Sequence, residues 1–475
     1  MKRKLKKSST MSLMMVLLFS VVMSACGGTT SNTATPEPAA TGTDTTATAT
    51  TGADMIKTAK VPAGSELEKA LKGEYKGTKV TMYGPFVDAD EQKFNASIKA
   101  FEDQTGIDIA YEGSKEFEAT INVRVNGGNA PDIADFPQPG LLEGFANSGK
   151  VVDVSSFMDE SYLKEQYKDS WLDMAKMKGE GGKELTAGVW ARSSVKSLVW
   201  YNKKAFADAG YEVPKTWDEM MALTEQIAKD GDPAWSIGIE SGTATGWPAT
   251  DWIEDIMLRT TTPENYDKWL TGELPFTDPI VKNAVKKMSD IWFNKDYVYG
   301  GRSSIVTTNF GDSIQPLFTD PPKAWFNRQA GFIVSFIPEG VTADEYDWFP
   351  FPSIDEQYGT PAMISGDIYA MFNDRPEVRA VMEFFTTAES LQSWIQSGGV
   401  TPPMNGTPDD WFANDQERRM SQFVQEAKTI RFDGSDLMPS SVGAGTFWKG
   451  MTDYVSGTAS LDEAMAEIQS GFKKQ

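Results

Sequence analysis

From Lys79 to the C terminus, runs with strand period and runs with helical period follow one another in turn over about 400 residues, and this alternation constrains the fold more than any single motif. Lys79–Tyr83 (KVTMY) reads as a short strand that Gly84-Pro85 ends. Phe94, Ile98 and Phe101 then recur at helical spacing until Gly106, and the IDIAYEG stretch behind it alternates as a second strand. Thr216 with Glu219 carries a capping-box signature ahead of Met220, Leu223 and Ile227. Asp374 with Glu377, and Pro376 in the first turn, open a helix through Val378, Val381, Met382 and Phe385 that is expected to end near Gly398-Gly399. Ser460 with Glu463 opens a last helix, apolar at Leu461, Ala464, Met465 and Ile468. The pattern predicts an α/β fold with mostly parallel sheets. One core rarely grows past about 250 to 300 residues, so at least two lobes are expected. Ligands of such folds sit in a crevice at strand C-terminal ends or between lobes.

The chain ahead of this pattern is of a different kind. Met1–Lys7 (MKRKLKK) carries five positive charges and no negative one, and the apolar run Met11–Met23 follows. Thirteen residues fall short of the about 20 a helix needs to cross a bilayer, so residues 1–25 read as a secretion signal. Met23-Ser24-Ala25-Cys26 resembles the bacterial lipobox, which implies cleavage before Cys26 and lipidation on it. Removing the five charges takes the net charge from −22 to −27, so the body is repelled by the anionic membrane surface to which its lipid holds it. Gly27–Asp54 contains eleven threonines and no aromatic or large aliphatic residue. It cannot offset the entropy of ordering, and a disordered tether is expected over 26–77. As a flexible coil, the stretch from Gly27 to Asp54 spans roughly 30 Å.

Composition removes whole classes of chemistry. With no histidine there is no Ser-His-Asp or Cys-His triad and no His-ligated metal. One cysteine makes no intramolecular disulfide and no thiolate cage. With 67 acidic residues against 45 basic ones, nucleic acid is not expected as a partner. Phosphate-cradling loops and the nucleophile elbow are absent from the sequence, and no cofactor or metal is expected. Asp88-Ala-Asp90 hints at a calcium loop, but Lys93 stands where the turn needs glycine. Ser193-Ser194-Val195-Lys196 matches an S-x-x-K pattern without its companion motifs, and Leu198–Tyr201 follows it as a strand would.

The positive signal is aromatic. Many of the 14 Trp, 14 Tyr and 26 Phe sit beside Gly, Pro or carboxylates rather than inside apolar runs. Phe86 lies near Asp88, Phe136 near Gln138, Trp190 near Arg192 and Trp247 near Asp251, while Phe447-Trp448 follows a Gly-rich turn. A sugar offers C–H faces that stack on rings and hydroxyl rims that need planar, multivalent polar groups. The bland alternative for each tryptophan taken singly is a place in the core.

Four stretches together resemble the lipid-anchored extracellular solute-binding proteins of bacterial ABC sugar importers, in the branch that binds maltose and α-glucosides. They are Asn129-Ala-Pro-Asp-Ile-Ala-Asp135 with Val151-Val-Asp153, the segment Leu198–Lys203 through Val213-Pro214 and Thr216-Trp217-Asp218-Glu219, then Ser365-Gly366-Asp367 with Gly398–Pro402, and Met438-Pro439 with Phe447-Trp448. The resemblance implies a two-lobed, periplasmic-binding-protein-like hinged trap with several crossings and no catalytic residues. It places lobe one at 78–191 and 348–403 and lobe two at 192–347 and 404–475. It implies an oligosaccharide ligand, delivery to ABC permease subunits, a monomer, and attachment to the extracellular face of the cell membrane through the lipid alone. Ligand contacts are expected at Phe86, Asp88, Phe136, Gln138, Trp190, Arg192, Trp247, Asp251, Phe332, Asp367 and Trp448. Phe332 and Trp448 fall at sugar-stacking positions, and Asp367 at a carboxylate that grips vicinal hydroxyls. For Arg192 and Asp251, structural ion pairing is the competing role. Phe-Pro-Gln-Pro between Asp135 and Gly140 departs from maltose-binding protein, which puts maltose itself in question.

Two other readings stay open at the level of sequence. A secreted glycoside hydrolase using paired carboxylates needs no histidine. A binder of the same fold for a phosphodiester or polyamine is the other, and a phosphate would call for several converging Arg or Lys.

Overall fold

The computed structural model describes residues 59–474, all within one compact unit, Thr50–Gln475. The expected secretion signal, Cys26 and the tether up to residue 58 lie outside the described residues. The tether expected as far as residue 77 gives way to structure earlier. Ser65 caps helix α1 (Glu66–Leu71) by accepting the Glu68 N–H. Leu67 and Ala70 share one face of that single turn and are fully buried. The Leu67 N–H donates to Glu383 Oε2 at 2.6 Å, so α1 docks on the helix Pro376–Phe385. This apolar pair supplies the burial that the Thr-rich segment lacks.

The alternation then runs as expected through β1 (Lys79–Gly84), α2 (Asp88–Thr105), β2 (Asp108–Gly113), α3 (Phe117–Asn126), β3 (Ile133–Phe136) and α4 (Pro139–Asn147). Gly106 stops α2 in the left-handed conformation, φ +71°. The chain crosses out along β4 (Val189–Val195) and continues directly into β5 (Leu198–Asn202). Helix α5 (Trp217–Asp230) starts at the expected Thr216–Glu219 capping box, and α6 (Trp247–Leu258) follows. After β6 (Asn327–Arg328) and β7 (Tyr346–Pro350), the chain crosses back in β8 (Ala362–Met371), all ten residues of which are buried. Helix α7 (Pro376–Phe385), β9 (Ile430–Phe432), α8 (Gly434–Leu437), α9 (Trp448–Ser456) and α10 (Leu461–Ser470) complete the body, the last behind the expected Ser460–Glu463 capping box. The helix expected to reach Gly398 is two. Thr386 turns its hydroxyl back to the Glu383 carbonyl, and a second helix, Gln392–Ser397, ends at Gly398 with φ +79°.

The first sheet has the order β9-β8-β3-β1-β2, with β4 also paired to β8. β1 is parallel to β2 and β3, but β8 is antiparallel to β3 and β4. The second sheet, β6-β5-β7, is antiparallel. The expectation of mostly parallel sheets therefore holds for β1, β2 and β3 and for the β8–β9 pair, and fails where β8 returns from the second sheet and meets β3 and β4 in the opposite direction. Strand membership also departs from the expected lobe boundaries. Trp348–Pro350 pairs with β5 in the second sheet, whereas Arg192–Val195 and β9 belong to the first. Ladder pairing carries each strand past the point where the family resemblance divides the chain. One large core gathers around the first sheet, a second around α5, α6, α9 and α10, and a smaller third contains Trp200 and Trp348.

Candidate ligand-binding cleft

A cleft of about 1130 Å³, open to solvent, lies between the loops that leave β1, β2 and β3 and those that surround α6 and Phe332. Its floor is the crossing pair β4 and β8. Asp367 sits opposite Arg192 in the ladder, just where the register shifts, and Arg192 Nε donates to Asp367 Oδ2 at 2.6 Å. Arg192 Nη1 lies 3.5 Å from Asp90 Oδ2, and its guanidinium covers the rings of Phe86 and Trp394. Burial opposes the charge on Arg192, but Asp367 and Asp90 outweigh it and hold the guanidinium charged. Beneath this pair Asp135 is fully buried, and burial with the nearby Asp367 raises its carboxyl well above the usual range. Neither Asp135 oxygen has a hydrogen-bond partner among the described residues, so nothing offsets the burial that favours its neutral form, while Asp367 keeps Arg192 as its partner.

Lys196, the residue after β4, forms the second ion pair of the floor. Its ammonium reaches Asp251 Oδ1 at 3.0 Å and Asp433 Oδ2 at 2.8 Å and lies 4.6 Å from the centre of the Trp247 ring. Arg328 takes the other Asp251 oxygen at 3.0 Å and also pairs with Asp255. Carboxylate oxygens of Asp251, Glu254 and Asp433 come within 4.8 Å of one another. Lys196, Arg328 and the N–H groups of Gly434 and Ser435 already occupy them, so ammonium and amide groups fill the place a metal would take. The S-x-x-K pattern is thus structural: the Ser193 hydroxyl donates to the Thr401 carbonyl, and Lys196 is locked in its pair.

One wall is aromatic. Trp247, Phe310, Phe332 and Phe336 are half-buried, with ring centres 5.2 to 6.2 Å apart in edge-on pairs. Trp448, 2 % exposed, closes the end and donates its indole N–H to Ser435 Oγ at 3.3 Å. The opposite wall is polar. Asp88, in the left-handed region at φ 54°, pairs with Lys115 at 3.1 Å. Glu118 accepts from Gln138 Nε2 at 3.4 Å, and burial pushes its carboxyl up to about 7. Asp90 Oδ1, Gln138 Oε1 and Ser194 Oγ are buried without a hydrogen-bond partner, all in residues that line the cleft.

The cleft brings together Phe86, Asp88, Gln138, Arg192, Trp247, Phe332, Asp367 and Trp448, as the sequence reading expected. Three other expected contacts lie elsewhere. Phe136 is core, packed on Phe117, Phe145 and Phe372, because β3 turns that side chain away from the crevice. Trp190 lies beneath the floor, where its indole N–H donates to the Trp171 carbonyl and its ring supports Gly366. Asp251 is fully buried under Lys196, in the ion-pairing role weighed against ligand contact. Sequence reasoning missed Asp90, Glu118, Lys196, Phe310, Phe336 and Asp436 as lining residues. Phe310 carried the same signal as the others, an aromatic between Asn and Gly, and Asp436 stands two residues before Met438-Pro439.

Paired charges, orphaned polar atoms and an aromatic wall facing one crevice between two sheets define a protein that encloses a small solute. The chain belongs to the bacterial extracellular solute-binding proteins, whose family model matches residues 88–392. It is 43% identical over 387 residues to the osmoprotective compounds-binding protein GgtB of Synechocystis sp., covering 82% of this chain and 91% of that protein. It is 40% identical over 416 residues to the alpha-glucosides-binding periplasmic protein AglE of Rhizobium meliloti, covering 86% and 90%. Among solved structures, the solute receptor AcbH and a chitin oligosaccharide binding protein each superpose with a TM-score of 0.70 at 19% identity, over 84% of this chain and 98% of theirs. At that identity they speak to the fold alone. The protein is a solute-binding component of an ABC transporter and not an enzyme. No helix among the described residues is long and apolar enough to cross a membrane.

Proposed function

We propose that this protein captures an α-glucoside or a related small neutral glycoside between its lobes and delivers it to the permease of an ABC importer. The observation that carries this reading is the pairing of every cation that lines the cleft. Lys115 faces Asp88, Arg192 faces Asp367 and Asp90, and Lys196 faces Asp251 and Asp433. Among the described residues a phosphate would find no free cation there, whereas a polyol finds three orphaned polar atoms and a wall of rings. The names of the two relatives, one for α-glucosides and one for osmoprotective compounds, point to small glycosides and compatible solutes. The lipobox-like stretch at Cys26 supports a lipid-anchored monomer outside the membrane, with ligand closing the lobes into the shape that the permease accepts.

The test is calorimetric titration of the soluble body, paralleled by tryptophan fluorescence from Trp247 and Trp448. The panel is maltose, trehalose, sucrose, maltotriose and glucosylglycerol, with the zwitterion glycine betaine and the polycation spermidine as non-sugar controls. Stoichiometric binding of at least one glucoside is expected. Silence to every glucoside, or binding of betaine or spermidine alone, overturns the reading.

A further inference from the structure

Asp436 has no assigned role, yet its carboxyl lines the cleft while the residue is 5 % exposed. It stands in the short helix α8, where its own N–H donates to Asp433 Oδ1 at 3.1 Å. Among the described residues no group donates a hydrogen bond to its carboxyl, and the cation that faces it, Lys196, is already paired with Asp251 and Asp433. The surroundings make a negative charge on it costly. The carboxyls of Asp251, Glu254, Asp255 and Asp433 already outnumber the cations Lys196, Arg259 and Arg328 that pair with them, and all seven are buried. Asp433 is the ionised member beside it, fixed by Lys196 at 2.8 Å and by the Asp436 N–H. The groups that face Asp436 are Asp433 from its own loop, Lys196 just after β4, Asp251 from α6 and Asp367 from β8, three acids against one shared cation. Tyr266, on the neighbouring helix, spends its hydroxyl on the Phe432 carbonyl and offers no relief.

We infer that Asp436 is a ligand contact that meets the solute as a neutral carboxylic acid, donating its O–H to a ring, glycosidic or hydroxyl oxygen of the sugar. Burial and Asp433 both push its proton affinity well above the usual carboxylate range, in keeping with this role. Most carboxylates in such a crevice only accept; a neutral acid both donates and accepts, so it can recognise an ether oxygen that has no proton of its own. It also leaves the floor with no further negative charge to desolvate when the lobes shut.

This assignment rests on the sugar reading, and the experiment separates the two. Wild type, Asp436→Ala and Asp436→Asn are titrated with maltose, trehalose and sucrose. Loss of a buried donor weakens binding by roughly 10- to 100-fold in Asp436→Ala, and the amide of Asp436→Asn, which also donates and accepts, recovers all but a few-fold of it. Equal losses in the two variants mean that the ionised group is the contact and overturn the inference, as does no loss in either. Infrared difference spectra of wild type against Asp436→Asn give a readout that does not depend on how Asp436→Ala folds. A protonated-carboxyl C=O band present without ligand, shifted by sugar and missing in Asp436→Asn is expected; its absence from the unliganded wild type overturns the inference. A wild type silent to these three sugars and to maltotriose and glucosylglycerol overturns the ligand contact together with the sugar reading, while the unliganded spectrum still reports whether the acid is neutral.

Discussion

At the level of single residues, the cleft floor is an exercise in burying charge at tolerable cost. Arg192 keeps Asp367 and Asp90 neutralised in a place with little water, so Arg192→Met leaves two carboxyls without their cation and costs about 3 to 5 kcal/mol. Urea unfolding should show that loss, and Asp367→Asn placed on top of it should recover part, because the two side chains form one unit. Additive losses would disprove the coupling. Glu417 tests the same physics in the absence of a direct salt bridge. It is 3 % exposed and accepts the Gly399 N–H at 3.1 Å, and burial raises its carboxyl to about 7 against partial opposition from Gly399 and Lys93. Between 4.5 and 7 the folded chain keeps a proton that the unfolded chain has released. Its contribution to stability is therefore complete below the lower value and disappears as pH rises through the upper one. The melting temperature of wild type relative to Glu417→Gln should fall across that window and level off above it; a constant difference would show that Glu417 does not titrate there.

Elements place these side chains through backbone register. The ladder between β4 and β8 sets Arg192 against Asp367, and the shift next to it lets Trp190 pass below the floor while Arg192 stays on it. Gly366 between them is there for space, since a Cβ would sit 2.9 Å from the Arg192 carbonyl and 3.1 Å from the Trp190 ring. Gly113, at the end of β2, is tighter still: a Cβ would lie 2.0 Å from the Phe86 carbonyl. Gly113→Ala should displace the Phe86 turn, cost about 1 to 3 kcal/mol in urea unfolding, and weaken ligand binding with it, because Phe86 backs Arg192. Unchanged stability would mean that the turn yields freely. Legibility differed by element. The two capping boxes and the Gly106 stop were plain in the sequence because they are local chemistry. The break at Thr386 and the sense of β8 were not, since each depends on what the segment packs against.

For the molecule as a whole, the two walls already touch across the cleft. Lys93 on α2 donates to Ser335 Oγ at 2.9 Å, and the Thr243 hydroxyl reaches the Lys115 carbonyl at 3.2 Å. Such contacts exist only while the walls are together, so they bias the equilibrium between open and shut toward the shut state. Lys93→Ala should weaken ligand binding and enlarge the radius of gyration of the unliganded protein in small-angle scattering, with little effect on melting temperature. Unaltered affinity and dimensions would remove Lys93 from closure.

By itself the sequence determined the α/β alternation, the boundaries of the best-capped helices, the exclusion of histidine and thiolate chemistry, and eight residues that meet in one cleft. The first three follow from short-range pattern or composition, which the chain carries wherever it folds, and the eight residues follow from the family resemblance of the motifs around them. Only the tertiary structure decided that Phe136, Trp190 and Asp251 turn away from the cleft, that residues 66–71 are a docked helix rather than tether, and that Asp436 joins the lining. Those outcomes depend on which face of a strand is covered and which distant charge lies alongside, and both are set by residues more than 100 positions apart, as Arg192 and Asp367 are.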